Sequence, residues 1–352
     1  MPFYRPNCHL SPESIRLIEK VSRLEGEIRA STRDLSSDTT IQAEAAIDSI
    51  HFSTKLEGNA LTREQVTQAI TGKRIGFRYQ KRDIKEVLNY SKARQFLFQK
   101  MGNHRGISTD LVLEVHKILM QGILTGKLRG HFREAQNVIK ESSTQSIIYL
   151  PPESKDVSPL MTNLCKGISQ ALRAGITSPL VLAAAFHYQF VTIHPFMDGN
   201  GRAARLLTSY ILFSQGFELV KYASIEKQHE VNRAEYYSQL RRLQFDNYYE
   251  IPIDINIGTW VHYWLGCLAR AGEEAQGKIL NIDLSIDLRF PSRLQKAIGL
   301  FKRHKRLSAA DYQQLTGLGR TQAVADLRLL EKAGMIQREG GGRSTTYLLS
   351  NA

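Results

Sequence analysis

The chain has 352 residues, 42% of them hydrophobic and 23% charged, and a formal net charge of +13. That is ordinary for a soluble globular protein with room for two or three domains. No apolar run approaches the ~20 residues of a membrane-spanning helix, so no membrane partner is expected. Cys8, Cys165 and Cys267 are odd in number and widely spaced. They indicate neither a disulfide framework nor a zinc site, and the N-terminus lacks a basic-then-apolar leader pattern, so a cytoplasmic setting is expected.

In chain order, Pro2 and Pro6 keep the first ten residues irregular. Ser11 then caps a helix with Pro12 just inside it, and Ile15, Ile18, Val21, Leu24 and Ile28 share one face. A second helix, from Ile41, closes at Gly58. Thr62 and Gln65 form a capping box that restarts a helix, which is expected to run to Met101 and end at Gly102. Ser108 caps the next helix. Val138, Ile139, Ile147 and Ile148 flank a Ser/Thr turn and predict a β-hairpin. Residues 153–175 form a connecting helix.

The passage Phe190–Leu207, FVTIHPFMDGNGRAARLL, is the centre of the chain. Ser178 and Pro179 start an apolar helix upstream. Pro195 ends it at His194, because proline has no N–H and disfavours helix at the preceding residue. A second helix follows and ends at Gly216. The loop between them suits a polyphosphate. Gly199, Asn200 and Gly201 let backbone N–H groups converge at a helix N-terminus. Arg202 and Arg205, three apart, share a face and can clamp successive phosphates. Asp198 offers a hard oxygen to Mg²⁺, and His194 has the pKa range to accept a proton from a hydroxyl. Phe196 reads as an apolar peg into the core.

Further on, Glu230–Leu243 is expected to be one helix, and the helix from Ile257 carries both Trp. His187 reads as a structural histidine, since zinc would need a further ligand at suitable spacing. Residues 271–289 read as a linker helix. Residues 290–352 hold eleven Lys/Arg against four Asp/Glu, more than half of the whole excess charge. Their pattern is helix, helix, Gly317-Leu-Gly319 turn, helix, then two strands around a Gly-rich tip. This order resembles a winged helix-turn-helix, with Arg320–Lys332 as recognition helix. Arg320, Thr321 and Gln322 would face a major groove of double-stranded DNA, with Arg343 at the wing tip near phosphate. Winged helices also serve as protein-interaction or dimer modules, so a homodimer is the other expected use.

HPFMDGNGRAAR resembles the signature of Fic-domain proteins, with every fixed position present. The resemblance implies a mainly α Fic core with a β-hairpin flap, and AMP transfer from ATP to a Ser, Thr or Tyr hydroxyl of a target protein or of the chain itself. His194 would be the base, Asp198 the Mg²⁺ ligand, Gly199–Gly201 the phosphate cradle, and Arg202 and Arg205 the β- and γ-phosphate ligands. Gly201 stands where members that phosphorylate instead tend to carry Lys. Ser53–Asn59, STKLEGN, is similar to the family's inhibitory motif, so Ser53, Glu57, Gly58 and Asn59 would form an inhibitory helix end. Glu57 would pair with Arg205 in the γ-phosphate site. Leu128–Arg133 is similar to the element preceding the active site, the hairpin to a flap that pairs with the substrate segment. Tyr236-Tyr237 resembles the paired aromatics near the base, with Tyr237 taken as the contact to adenine. The expected organisation is an inhibitory region at 1–101, a Fic core at 102–270, a linker at 271–289 and a winged-helix domain at 290–352. Two other functions fit: a DNA-bound regulator whose Fic core senses nucleotide, and an enzyme that removes AMP.

Overall fold

The computed structural model describes residues 6–32, 38–73, 81–99, 106–140, 145–288, 292–304, 306–341 and 345–350. Gly102, the hairpin's Ser/Thr turn and Arg343 lie outside the described residues. Two compact units emerge, one of residues 1–26 and 43–275, the other of residues 27–42 and 276–352.

In chain order the first helices are α1 (Pro12–Thr32) and α2 (Asp38–Leu56). They are followed by α3 (Arg63–Ile70), α4 (Lys81–Gln99) and α5 (Thr109–Leu119). The single helix expected over Leu61–Met101 is thus two. Helix α3 begins at the Thr62–Gln65 capping box and is followed by Gly72 in a left-handed turn (φ 72°), which glycine adopts without a Cβ penalty. The hairpin is present but short. Strands β1 (Ile139–Lys140) and β2 (Ile147–Tyr149) pair antiparallel with a bulge between Ile139 and Lys140, and Val138 precedes the strand. Helix α6 (Ser154–Ala174) ends at left-handed Gly175 (φ 65°).

Helices α7 (Pro179–Ile193) and α8 (Asn200–Ser214) form the centre of the first unit. All but two of the residues of α7 are buried, as expected of a helix apolar on every side. Tyr149 donates its hydroxyl to the Thr192 carbonyl at 2.8 Å, which fixes the hairpin to the C-terminal turn of α7. After α9 (Leu219–Tyr222), the expected Glu230–Leu243 helix breaks at Asn232 into α10 (Ile225–Val231) and α11 (Arg233–Gln244). Helix α12 (Gly258–Leu288) is continuous through the passage read as a linker. Its Trp260 and Trp264 are fully buried, and the Trp260 indole donates to the Ala184 carbonyl at 2.8 Å.

The second unit contains α13 (Ser292–His304), β3 (Arg306–Ser308), α14 (Ala309–Thr316), α15 (Arg320–Lys332), β4 (Ile336–Glu339) and β5 (Thr346–Leu349). Its sheet has order β3-β5-β4, all antiparallel, and β3 is a strand that the sequence pattern did not suggest. Phe301, Tyr312, Leu327, Leu330, Ile336 and Tyr347 belong to a core of its own. Asp326, buried completely, receives Arg293 through two hydrogen bonds of 2.9 and 3.0 Å. This pair fastens α13 to α15.

Candidate active site

The loop between α7 and α8 is built by two left-handed residues. His194 (φ 50°, ψ 60°) ends α7, and Gly199 (φ 83°, ψ 8°) is the N-cap of α8. Asn200 locks the intervening turn: its Oδ1 accepts from the Phe196 N–H at 2.9 Å, and its Nδ2 donates to the Phe196 carbonyl at 2.8 Å. Phe196 is fully buried and stacks on His116 of α5, with centroids 3.6 Å apart and planes 3° from parallel. His116 Nδ1 accepts from the Gly130 N–H, so the ring proton is on Nε2, which donates to the Asp198 carbonyl at 3.0 Å. Burial pushes the His116 pKa down to about 4 and keeps it neutral. Arg133, 2% exposed, donates from Nε to the His194 carbonyl at 2.9 Å, and its own N–H bonds the Pro195 carbonyl. The LRGHFR passage therefore pins the loop from beneath.

His194 is partly buried. Its Nδ1 faces the Val191 carbonyl at 3.3 Å, an acceptor only, so Nδ1 holds the proton and Nε2 keeps its lone pair. Burial pushes its pKa down to about 4 despite that carbonyl, so the ring is neutral at physiological pH. This is the protonation state of a base. His194 lines a cavity of about 530 Å³ together with Glu57, Gly201, Arg205, Tyr237 and the flap residue Ile148.

Arg202 and Arg205 are each 1% exposed, not members of a solvated face. Arg205 donates to the Ser53 hydroxyl at 2.9 Å, to the Ser53 carbonyl at 2.8 Å, and to Glu57 Oε1 at 2.8 Å. Burial opposes ionisation of Glu57, but Arg205 and then Arg202 outweigh it and hold the carboxyl below its ordinary range. Glu57 lies directly over Gly201, where an added Cβ would come within 2.2 Å of Oε1 and 2.8 Å of Arg205 Nη1. Only glycine leaves space for the carboxylate. Gly58 (φ 92°) closes the end of the Glu57-bearing segment, and Asn59 Nδ2 ties it to Glu86 Oε2 at 3.1 Å.

Arg202 donates from Nη2 to Asp198 Oδ1 at 3.0 Å. Its Nη1 lies 3.2 Å from Glu86 Oε1 without hydrogen-bond alignment, and its buried Nε has no hydrogen-bond partner among the described residues. A buried guanidinium with donors to spare is a place for an anion with several oxygens. Asp198 Oδ1 also accepts from the Gly199 N–H, while Oδ2 accepts from Arg82 of α4 at 2.6 Å.

The paired tyrosines part company. Tyr236 is buried, bonded to His187 Nε2 at 3.0 Å, which makes His187 a satisfied core histidine. Tyr237 is 39% exposed and bonds the Leu56 carbonyl at 3.1 Å, next to Arg233, which bonds the same carbonyl at 2.8 Å. The site thus gathers Ser53, Glu57, Asp198, Gly199–Gly201, Arg202, Arg205, His194 and Tyr237. Sequence reasoning missed Arg82, Glu86, His116 and Arg233. The i, i+4 spacing of Arg82 and Glu86 is the sole signal for any of them. In the second unit, Arg320 and Thr321 are exposed at the start of α15, whereas Gln322 is turned back to Asp326 at 2.9 Å.

A helix-lined pocket closed by a short hairpin, with HPFMDGNGR at the turn, is the build of a Fic domain, and residues 106–212 match the Fic/DOC family. The chain carries a Fic domain. Among curated relatives, the protein adenylyltransferase Fic of Culex quinquefasciatus is 31% identical over 208 residues, 57% of this chain and 37% of that protein. Protein adenylyltransferase fic-1 of Caenorhabditis elegans is 30% identical over 200 residues, covering 54% of this chain and 35% of that one. The chain thus spans little more than a third of the length of these relatives. A Fic family protein of Desulfovibrio desulfuricans shares the fold over 99% of both chains, with a TM-score of 0.65 at 24% identity. A Fic domain protein of Bacteroides thetaiotaomicron also has a TM-score of 0.65, at 21% identity, over 74% of this chain and 97% of its own. Glu57, Arg82 and Glu86 lie outside the residues matched to the family.

Proposed function

We propose that the chain transfers AMP from ATP to a hydroxyl of a protein, and that Glu57 holds this activity down. The observation that carries the reading is the convergence of neutral His194, Gly201 at the N-terminus of α8 and buried Arg205 on one cavity, with buried Arg202 on the same helix. The curated relatives' names, protein adenylyltransferase, point the same way.

In this reading the N–H groups of Gly199–Gly201, the α8 dipole and Arg202 bind the phosphates. Arg205 takes the γ-phosphate once Glu57 leaves it. Tyr237 lies against the adenine, and the hairpin edge guides the acceptor segment by strand addition. The hydroxyl oxygen forms a bond to the α-phosphorus, the bond from that phosphorus to the bridging oxygen breaks, and pyrophosphate leaves. His194 Nε2 takes the hydroxyl proton. The donor set fits Mg²⁺ brought in on a nucleotide: one carboxylate, Asp198, with phosphate oxygens to complete the shell. No group of three or more His, Cys, Asp or Glu that could hold a metal on its own occurs among the described residues. Bound there, Mg²⁺ would neutralise phosphate charge. Self-modification on a surface hydroxyl is part of the proposal.

The test is incorporation from ATP labelled at the α-phosphate by the full chain and by Glu57→Gly, compared with label at the γ-phosphate. Transfer of α-label supports AMP transfer; transfer of γ-label alone refutes it.

A second activity, DNA binding, is favoured by the second unit. Its order of helices and three antiparallel strands fits a winged helix, and residues 290–352 within it hold eleven Lys/Arg against four Asp/Glu. Arg320 and Thr321 stand exposed at the start of α15. Retardation of random duplex by the full chain tests this.

A further inference from the structure

Four charged side chains form a closed ring beside the glycine-rich loop. Asp198 Oδ2 accepts from Arg82 Nη2 at 2.6 Å, and Arg82 Nε donates to Glu86 Oε1 at 3.0 Å. Glu86 Oε1 lies 3.2 Å from Arg202 Nη1, and Arg202 Nη2 returns to Asp198 Oδ1 at 3.0 Å. The ring holds two carboxylates and two guanidiniums, so its charge is balanced without any ligand.

Its members differ in freedom. Arg202 and Glu86 have side chains 2% and 7% exposed, and Glu86 is further held by Asn59. Arg82 has a side chain 55% exposed, one turn before Glu86 on α4, and can swing into solvent without leaving Glu86 unpaired. Asp198 Oδ1 is engaged twice, by Arg202 and the Gly199 N–H. The remaining oxygen, Oδ2, is the one that Arg82 covers.

We propose that Arg82 is a displaceable cation that covers the metal-binding carboxylate of Asp198 until nucleotide and metal arrive, so that Mg²⁺ competes with Arg82 for this oxygen. This rests on the reading of Asp198 as the metal ligand given above. Arg82 is then a positioning residue: it keeps Asp198 oriented in the free chain, and its positive charge is exchanged for that of the ion. A third phosphate clamp is the contrary role for the same side chain, and the two predict opposite effects of removing it.

The experiment is calorimetric titration of the full chain with an ATP analogue whose α,β bridge is a methylene group, in Mg²⁺ and in excess EDTA. The readout is the ratio of the two dissociation constants, for wild type, Arg82→Ala, Arg82→Lys and Asp198→Ala. Removing a competitor held by a solvent-exposed pair should raise the Mg²⁺ enhancement about three- to fivefold in Arg82→Ala. Arg82→Lys should fall between it and wild type, and melting temperatures of the Arg82 variants should match wild type because the side chain is exposed. An unchanged or smaller ratio in Arg82→Ala, or weaker binding in both buffers, overturns the proposal, the latter in favour of a phosphate clamp. Asp198→Ala should lose the enhancement. If it keeps it, the assignment of the metal to Asp198 fails, whatever Arg82 does. Absence of any enhancement in wild type overturns both.

Discussion

Replacing Glu57 by Gly removes the carboxylate bonded to Arg205. Breaking a buried ion pair typically destabilises by about 3–5 kcal/mol, because the surviving charge is left in a dry site. Two features reduce that here. The Glu57 side chain is 28% exposed, and Arg205 keeps its bonds to the Ser53 hydroxyl and carbonyl. A cost of about 1–2 kcal/mol is therefore expected, within the usual range of coupling between two ligands of one site. A nucleotide γ-phosphate offers the same guanidinium a stronger anion, so the lost stability should return when Mg²⁺–ATP is added. Thermal unfolding of Glu57→Gly should show a lower melting temperature than wild type without nucleotide and a larger upward shift with it. Incorporation of α-label should rise by roughly 5- to 30-fold, the same coupling expressed as a ratio. Glu57→Gln, which keeps the shape and loses the charge, should show most of this gain. Gly201→Ala should not mimic this gain, because its Cβ would fall 2.2 Å from Glu57 Oε1 and 2.8 Å from Arg205 Nη1, in the space that the γ-phosphate is to take. Equal incorporation by wild type and Glu57→Gly, with equal nucleotide shifts, would refute the reasoning.

His194→Ala should lower label transfer by about 10²- to 10⁴-fold while nucleotide affinity stays within a few-fold, as for loss of a general base; calorimetry and α-label incorporation in the Glu57→Gly background check it. With the His194 pKa pushed down to about 4 by burial, transfer should remain flat from pH 7.5 to 5.5, whereas a limb at pH 6.5 would mean an ordinary histidine. Buried His116 and His187 are held at about 4 and about 3, and His229 is also pushed well down, all by burial. The unfolded chain then binds protons that the folded chain does not as pH falls below about 6.5. Stability should therefore decline toward pH 4 by up to about 1.4 kcal/mol per pH unit for each such histidine, read as denaturant midpoints across that window. If the second unit binds DNA through about five phosphates, the log–log salt slope should be near −4.5, and Arg320→Ala should reduce its magnitude by about one. A flat salt response would indicate a protein partner.

The centre of the site was legible because its chemistry is local. Within HPFMDGNGR the proline stop, the glycines and the two arginines constrain one another over a few residues, and the helix ends fell at Ile193 and Asn200. The motif around Glu57 and its pairing with Arg205, 148 positions away, were legible through resemblance alone, since nothing local in the sequence joins the two. His116 left no trace in the sequence. Its role comes from a ring stacked on Phe196 and a bond to Asp198, 82 positions on. The overlong helix at Leu61–Met101 has a different cause. Charged residues at helical spacing continue past Gly72, and the turn there depends on a single left-handed residue that periodicity does not register.

Burial of two guanidiniums explains why the elements outside the matched domain matter to it. Arg202 and Arg205 are each 1% exposed, and a charge so placed needs a counter-charge in the free chain. Both counter-charges from outside the loop come from the segment 53–86: Glu57 meets Arg205, and Glu86 meets Arg202. They are joined through Asn59, whose amide bonds Glu86 two residues after Glu57. An incoming polyphosphate must therefore displace or share carboxylates carried by the turn after α2 and by α4, while the loop that receives it stays fixed by Asn200, His116 and Arg133. The fixed part determines what binds, and the replaceable carboxylates determine when. Mutations in segment 53–86 should accordingly change nucleotide affinity and metal dependence at an unaltered loop, and mutations at Asn200 or Arg133 should disturb the loop itself.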